Sequence, residues 1–536
     1  MKDVRKAELS RDGCTIYVTF SITDQQKWLF VKESVKSLPG RKFVLEHKRW
    51  EVPLSESSIK RLASLGFDLC PKLENILDRI LFNPADAVEI EVPGFGKDLY
   101  PFQKKGVWFL EKKDGRALIA DEMGLGKTLQ ALGWLHLHPE MRPVVVVCPA
   151  SVKLKWQRET EECMHRSAQV LSGTSPKEIE SDIVIINYDI LKNWLDILLR
   201  LDPKVVVLDE CHYIKNGSTA RARAVKILTQ GRRVIGLSGT PVMNNPQESF
   251  NIIRTIDHYI FPSFSTFKNS QSSKSLLKLH KKLVGSIMMR RRKQDVLSEL
   301  PDKRRDAVPI ETVNIEEYFQ LEEEMGDIIH DLLEEYEDYW SIPLKKRGKI
   351  LAKLNEMRKK SGEIKLPGVI EWIEDFLKCD GKLAVFAHHR NVVEEIHRSF
   401  PDSVVVYGGM NESKKEKAVQ AFQYDPNVRL FVGNIKAAGV GIDLTASSNV
   451  AFAELPWTPA DLIQAEDRCH RIGQKNSVSV FYLIAPETID GRMMEILDRK
   501  QRIVDAVLDG KAYEKNVTII NEIAKYYWDR ECASAS

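Results

Sequence analysis

The sequence predicts an α/β protein: two doubly wound parallel-sheet lobes with helical insertions, preceded by a small α+β module. Continuous apolar runs separated by helical patterns mark strands covered on both faces of a parallel sheet. Such runs occur at 116–120, 144–147, 183–186, 205–208 and 234–237, and again at 383–386, 404–407, 430–432, 450–452 and 478–482. The start of the chain differs. Residues 14–20 alternate with period two, as a half-buried strand does.

Taken in order, the module has a strand at 14–20, a helix at 25–37 and a hairpin built from 42–45 and 50–52. A second helix follows at 57–65, with Gly66 placed to cap its end. Lys42, His47, Lys48, Arg49 and Trp50 set cations beside an aromatic ring, which suits nucleic-acid contact and equally a solvated hairpin. The expected divisions are an accessory module over 1–80, a first lobe over 92–300, a helical protrusion or linker over 301–370, a second lobe over 371–500 and a helical tail over 501–536. Within the protrusion, Leu321, Ile328, Ile329, Leu332 and Leu333 form an apolar stripe. Residues 533–536 are expected to be disordered.

Composition excludes more than it identifies. A length of 536 residues suits three or four domains at about 150 residues each. The net charge of +3 is too small to name a partner, so any nucleic-acid surface must be a local patch. The eight cysteines form no C-x-x-C pair, which argues against a zinc site or disulfide framework and for a reducing compartment. No apolar stretch follows residues 1–5, and none approaches the roughly 20 residues of a membrane span. An intracellular, DNA-associated, monomeric protein without a membrane is expected.

The stretch from Asp121 to Thr128 joins a strand to a helix start through Gly124 and Gly126. Such a turn points backbone N–H groups and a positive helix end at an anion, with Lys127 reaching the β/γ-phosphates of ATP and the Thr128 hydroxyl holding Mg²⁺. The general phosphate-loop pattern has glycine where this chain has Asp121. The fourth strand ends in Asp209-Glu210-Cys211-His212. Two adjacent carboxylates there can divide the work, Asp209 on Mg²⁺ and Glu210 polarising the attacking water. In the second lobe, Gln464, Arg468 and Arg471 share one face at helical spacing, so both guanidiniums could serve as arginine fingers. An exposed helix with salt bridges to Glu466 and Asp467 is the alternative.

Together these residues resemble the superfamily-two helicase-like ATPases, and among them the Swi/Snf-type DNA translocases. The resemblance runs over about 92–500. It is carried by the Asp121–Thr128 loop, by Asp209 to Asn216, by Leu237 to Pro241, by the basic run from Arg290 to Leu297 with Leu300-Pro301, by Gly439 to Thr445, by Trp457 to Pro459, and by His470-Arg471-Ile472-Gly473-Gln474. Asp443 departs from the asparagine of many members. Phe386-Ala387-His388-His389 and the N-terminal Arg49-Trp50 look like the annealing-helicase branch, where a small HARP-type domain helps recognise forked DNA. The resemblance implies RecA-like lobes and a DNA-dependent ATPase acting on double-stranded or forked DNA. It implies Gln103 on the adenine edge, Gly124, Gly126, Lys127, Thr128 and Gln464 around the nucleotide, and Lys153, Trp156, Tyr188, Lys436 and Trp457 near DNA. A strand-separating or RNA-dependent helicase, a remodeller of protein–DNA complexes and a non-catalytic scaffold are the competing readings.

Overall fold

The computed structural model describes residues 3–10, 14–81, 87–239, 248–257, 283–284, 286–297, 299–379, 381–438, 442–508 and 519–535. The N-terminal module is a mixed five-stranded sheet. Its strands are β1 (Val4–Leu9), β2 (Thr15–Ser21), β3 (Lys42–Val44), β4 (Arg49–Pro53) and β5 (Asp68–Leu69), in the order β3-β4-β2-β1-β5. The period-two pattern does what it predicts: Ile16 and Val18 turn inward while Thr15 and Tyr17 stay partly exposed. Strand β1 escapes that pattern because its one fully buried side chain is the small Ala7. Helices Gln25–Lys36 and Glu56–Ser64 start on Asp24 and Ser55, whose side chains accept from backbone N–H groups of the first turn.

Seven strands build the first lobe: β6 (Ala117–Ile119), β7 (Val144–Cys148), β8 (Gln169–Val170), β9 (Ile183–Asn187), β10 (Val205–Asp209), β11 (Arg233–Leu237) and β12 (Met288–Met289). Their order is β12-β6-β11-β10-β7-β9-β8, all parallel. The runs of valine and isoleucine are buried on both faces. The outer strands β8 and β12 are two residues each, too short to leave a periodic signal. β12 matters beyond its length, since it delivers residues 290–293 to the end of β6.

The second lobe comprises β13 (Lys303–Pro309), β14 (Leu383–Ala387), β15 (Val404–Val406), β16 (Leu430–Asn434), β17 (Asn449–Phe452) and β18 (Val478–Ile484). Their order is β13-β18-β17-β14-β16-β15, again all parallel. Here one expectation is corrected. Residues 301–370 are not wholly helical, because 303–309 form the edge strand of this sheet. The strand is polar and mostly exposed, so it carries no hydrophobic pattern to read.

Helices Ile315–Leu333 and Leu344–Ile364 pack on the C-terminal helix Ile519–Ala535 through Met325, Ile329, Leu354, Ile523, Tyr527 and Trp528. The last helix includes residues 533–535, which corrects the expected disorder there. No helix among the described residues is long and apolar enough to cross a membrane.

Candidate nucleotide site between the lobes

β6 runs into a turn in which Gly124 and Gly126 have φ of +86° and +69°. Both values lie in the left-handed region that glycine enters without strain. Gly126 caps the helix Lys127–Leu137. The unusual Asp121 is fully buried. Its carboxylate accepts from Arg291 Nε at 3.0 Å, from the Arg291 backbone N–H at 3.1 Å and from Gln130 Nε2 at 2.9 Å. Where a glycine would only turn the chain, Asp121 ties the loop to the basic segment after β12. The Lys127 ammonium donates to the Asp121 carbonyl at 2.9 Å.

Asp209 ends β10, and three groups organise it. Trp156 Nε1 donates to Asp209 Oδ2 at 2.7 Å, the Glu210 N–H donates to Oδ1 at 3.0 Å, and Tyr188 Oη donates to the Asp209 carbonyl at 2.8 Å. Glu210 has φ of +49°, strained backbone for a side chain of its size. His212 Nδ1 lies 3.2 Å from Glu210 Oε2 but outside hydrogen-bond geometry, which leaves that buried oxygen without a hydrogen-bond partner.

The second lobe supplies the other wall. Helix Pro459–Glu466 stops before the two arginines, so Arg468 and Arg471 sit in the turns that follow it. That corrects the expected single helical face. Arg468 Nε donates to the Gln464 carbonyl at 3.0 Å and its Nη1 to the Ile442 carbonyl at 3.3 Å. Arg471 Nε lies 3.7 Å from Asp443 Oδ2. The arginines do not pair with Glu466 and Asp467, which are buried against Lys293, Lys303 and Arg305.

A cavity of about 280 Å³ lies between these walls, lined by Gln103, Gly124, Gly126, Lys127, Thr128, Asp209, Glu210, Arg468 and Arg471 together with Lys155, Trp156, Glu159 and Asp467. The lobes meet closely, since a Cβ built on Gly124 would stand 2.9 Å from Arg471 Cβ. Burial and the neighbouring Arg471 push the Arg468 guanidinium down to about 10. Burial also lowers the Lys127 ammonium, against the pull of Glu210 and Asp121. Asp209 is raised by burial and by the charge of Glu210. Burial likewise pushes Glu210 upward, but His212, Lys127 and Arg468 outweigh it and hold that carboxyl low. A concave wall of Lys127, Lys155, Arg468 and Arg471, beside the N-terminus of the helix Lys127–Leu137, is chemically matched to a polyphosphate.

Not every expected residue lines this cavity. Gln464 is buried on its helix and contributes its carbonyl to Arg468. Gln103 reaches the cavity wall with its amide engaged, accepting from the Tyr100 N–H at 3.0 Å and donating to the Leu125 carbonyl at 3.2 Å. Trp156 and Tyr188, expected near DNA, are both 1% exposed and serve Asp209 instead. Lys153 donates to the Leu171 carbonyl at 3.0 Å. Lys436 is exposed, and Trp457 is half-buried under the Arg358 guanidinium at 4.6 Å. The motif residues Thr240, Pro241, Gly439, Val440 and Gly441 lie outside the described residues. Sequence reasoning missed Lys155 and Glu159 and gave Lys293 no role of its own within the basic run from Arg290 to Leu297. Lys155 had a signal as a cation in the first turn of the helix after β7, and Lys293 had one as part of that run.

The comparisons with known proteins follow the same division. The SNF2-related domain matches residues 102–353, and the helicase conserved C-terminal domain matches 368–473. A Caenorhabditis elegans homolog of SWI/SNF-related matrix-associated actin-dependent regulator of chromatin subfamily A-like protein 1 is 32% identical over 517 residues, covering 89% of this chain and 73% of the relative. Human DNA annealing helicase and endonuclease ZRANB3 is 32% identical over 472 residues, covering 80% of this chain and 42% of its own length. The SWI2/SNF2 ATPase core of Sulfolobus solfataricus, solved with dsDNA, is similar at 24% identity over 78% of this chain and 95% of that one, with a TM-score of 0.39. With two parallel-sheet lobes closed on a phosphate loop, and with a relative matched over most of both lengths, the chain belongs to the SNF2-related family of helicase-like ATP hydrolases.

Proposed function

We propose that this chain is an ATP-driven motor that tracks along double-stranded DNA and serves strand reannealing or fork remodelling. One observation carries the reading: Lys127, Asp209 and Glu210 of one lobe share a cavity with Arg468 and Arg471 of the other. Lys127 takes the β/γ-phosphates, Glu210 orients the attacking water, and the two arginines neutralise charge on the departing phosphate. Thr128 and Asp209 would hold Mg²⁺, which when bound neutralises the phosphate oxygens. Gln103 faces the adenine edge from the cavity wall. Because the cationic groups come from different lobes, loss of the γ-phosphate removes what draws the lobes together.

The DNA assignment draws support from the relatives' names, the human one being called a DNA annealing helicase. Lys153, Lys436 and Trp457 are the candidate DNA-side residues, and the N-terminal module is the candidate fork reader. Phosphate release measured with duplex, forked and single-stranded DNA and with RNA tests this. Stimulation by duplex or fork at low salt is expected, falling steeply as salt rises. ATPase activity indifferent to duplex would sink the motor reading, and RNA as the better activator would favour the RNA helicase. Lys127→Ala should abolish hydrolysis while DNA retention on a gel stays near the parent level. A chain beginning at residue 91 with undiminished fork preference would remove the N-terminal module from recognition.

A further inference from the structure

Lys293 stands where the two lobes touch, and it is 3% exposed. Its backbone N–H donates to Glu122 Oε2 at 2.7 Å, which anchors it beside the phosphate loop. Its ammonium crosses to the second lobe, lying 2.9 Å from Asp467 Oδ1 and donating to the His470 carbonyl. Those two acceptors bracket Arg468 and end one residue before Arg471. A Cβ built on Gly124 would meet Lys293 Cε at 3.3 Å and Arg471 Cβ at 2.9 Å, so loop, ammonium stem and arginine segment converge on one spot. Lys293 is not among the residues lining the cavity. Its action on the reaction must therefore run through the groups it holds.

We propose that Lys293 is a positioning residue for ATP hydrolysis: it clamps the turn bearing Arg468 and Arg471 against the phosphate loop, so that both guanidiniums enter the site as one unit. This rests on the reading that those arginines act on the nucleotide. The clamp has the right mechanical form, because one side of it is fixed to the loop by Glu122 and the other grips the arginine turn at two points. Removing the ammonium leaves no buried carboxylate alone, since Asp467 keeps Lys303 at 3.1 Å.

The test is steady-state hydrolysis by the full chain with saturating duplex DNA. A parent chain that hydrolyses no ATP would defeat the functional reading before Lys293 is touched. With an active parent, Lys293→Met should lower kcat about 10- to 100-fold while KM for ATP stays within about threefold. Lys293→Arg should recover part of that loss. Parent-like kcat in the methionine variant, or an arginine variant no better than methionine, overturns the proposal. Should Lys293→Met fail to fold, Glu122→Ala decides, because it frees only the anchor on the loop side. A severalfold fall in kcat at constant KM supports the clamp, and an unchanged kcat overturns it.

Discussion

Asp121 is fully buried and Asp209 partly so at the cavity wall, and their surroundings give them opposite duties. Asp121 is satisfied by the Arg291 guanidinium and Gln130, so it serves as an anchor for the loop. Asp209 accepts from Trp156 and a backbone N–H, but burial and the neighbouring Glu210 outweigh these and Lys127, so its charge is raised in energy. A carboxyl whose folded pKa lies above its ordinary value stabilises the fold only while protonated, and that advantage is lost as pH rises through the raised value. Asp209→Asn should therefore abolish turnover and yet raise the melting temperature by about 1–3 °C at neutral pH, measured by calorimetry without nucleotide. A lowered melting temperature would show that Asp209 contributes to stability rather than straining it.

At the level of elements, the phosphate loop and the C-terminal helix are vulnerable for different reasons. Gly124→Ala meets two obstacles, a φ of +86° and the Arg471 Cβ at 2.9 Å. The left-handed strain alone costs about 1–2 kcal/mol, so where the loop must hold this shape to bind, affinity for a fluorescent ATP analogue should fall about 5- to 30-fold. Unchanged affinity would mean that the loop relaxes away from the second lobe. The helix Ile519–Ala535 is held by packing instead. Trp528 is 2% exposed in the cluster that joins it to the two helices of the protrusion. Trp528→Ala should cost about 3–5 kcal/mol in urea unfolding, and Trp528→Phe clearly less.

Over the whole molecule, the exposed charge across the cleft counts for less than the buried charge inside the second lobe. The exposed Arg158–Glu416 pair across the cleft is worth about 0–1 kcal/mol. The interior holds a denser node: Glu466 accepts from Arg305 at 2.7 Å and from Tyr482 Oη at 2.6 Å, with Lys303 at 2.7 Å. Burial opposes ionisation of Glu466, but Lys303 and Arg305 prevail and bring its carboxyl to about 2. Since that value lies below the ordinary one, the stabilisation is complete above about pH 4.5 and is lost as pH falls toward about 2. It is on the order of 3 kcal/mol at about 1.4 kcal/mol per pKa unit. Denaturant titrations across that window should show stability falling with acid in the parent and a flatter dependence in Glu466→Gln. Equal slopes would remove Glu466 from the acid response.

Ten strands of the two lobes and the chemistry at their ends were written in the sequence, because buried parallel strands are unbroken apolar runs and a phosphate loop is a local turn, whereas β8, β12 and β13 left no such run. Lys127, Thr128, Asp209, Glu210, Arg468 and Arg471 were therefore legible one by one, and the structure brings all six to one cavity. What depends on contacts distant in sequence emerged with the folded chain. It turned Trp156 and Tyr188 inward to Asp209, ended the helix before Arg468, made the polar stretch 303–309 a strand, and laid Lys293 between the lobes. The reason is physical. A hydrophobic period reports which face of an element is buried, while the partner of a buried charge is chosen by chain segments that no local pattern can name.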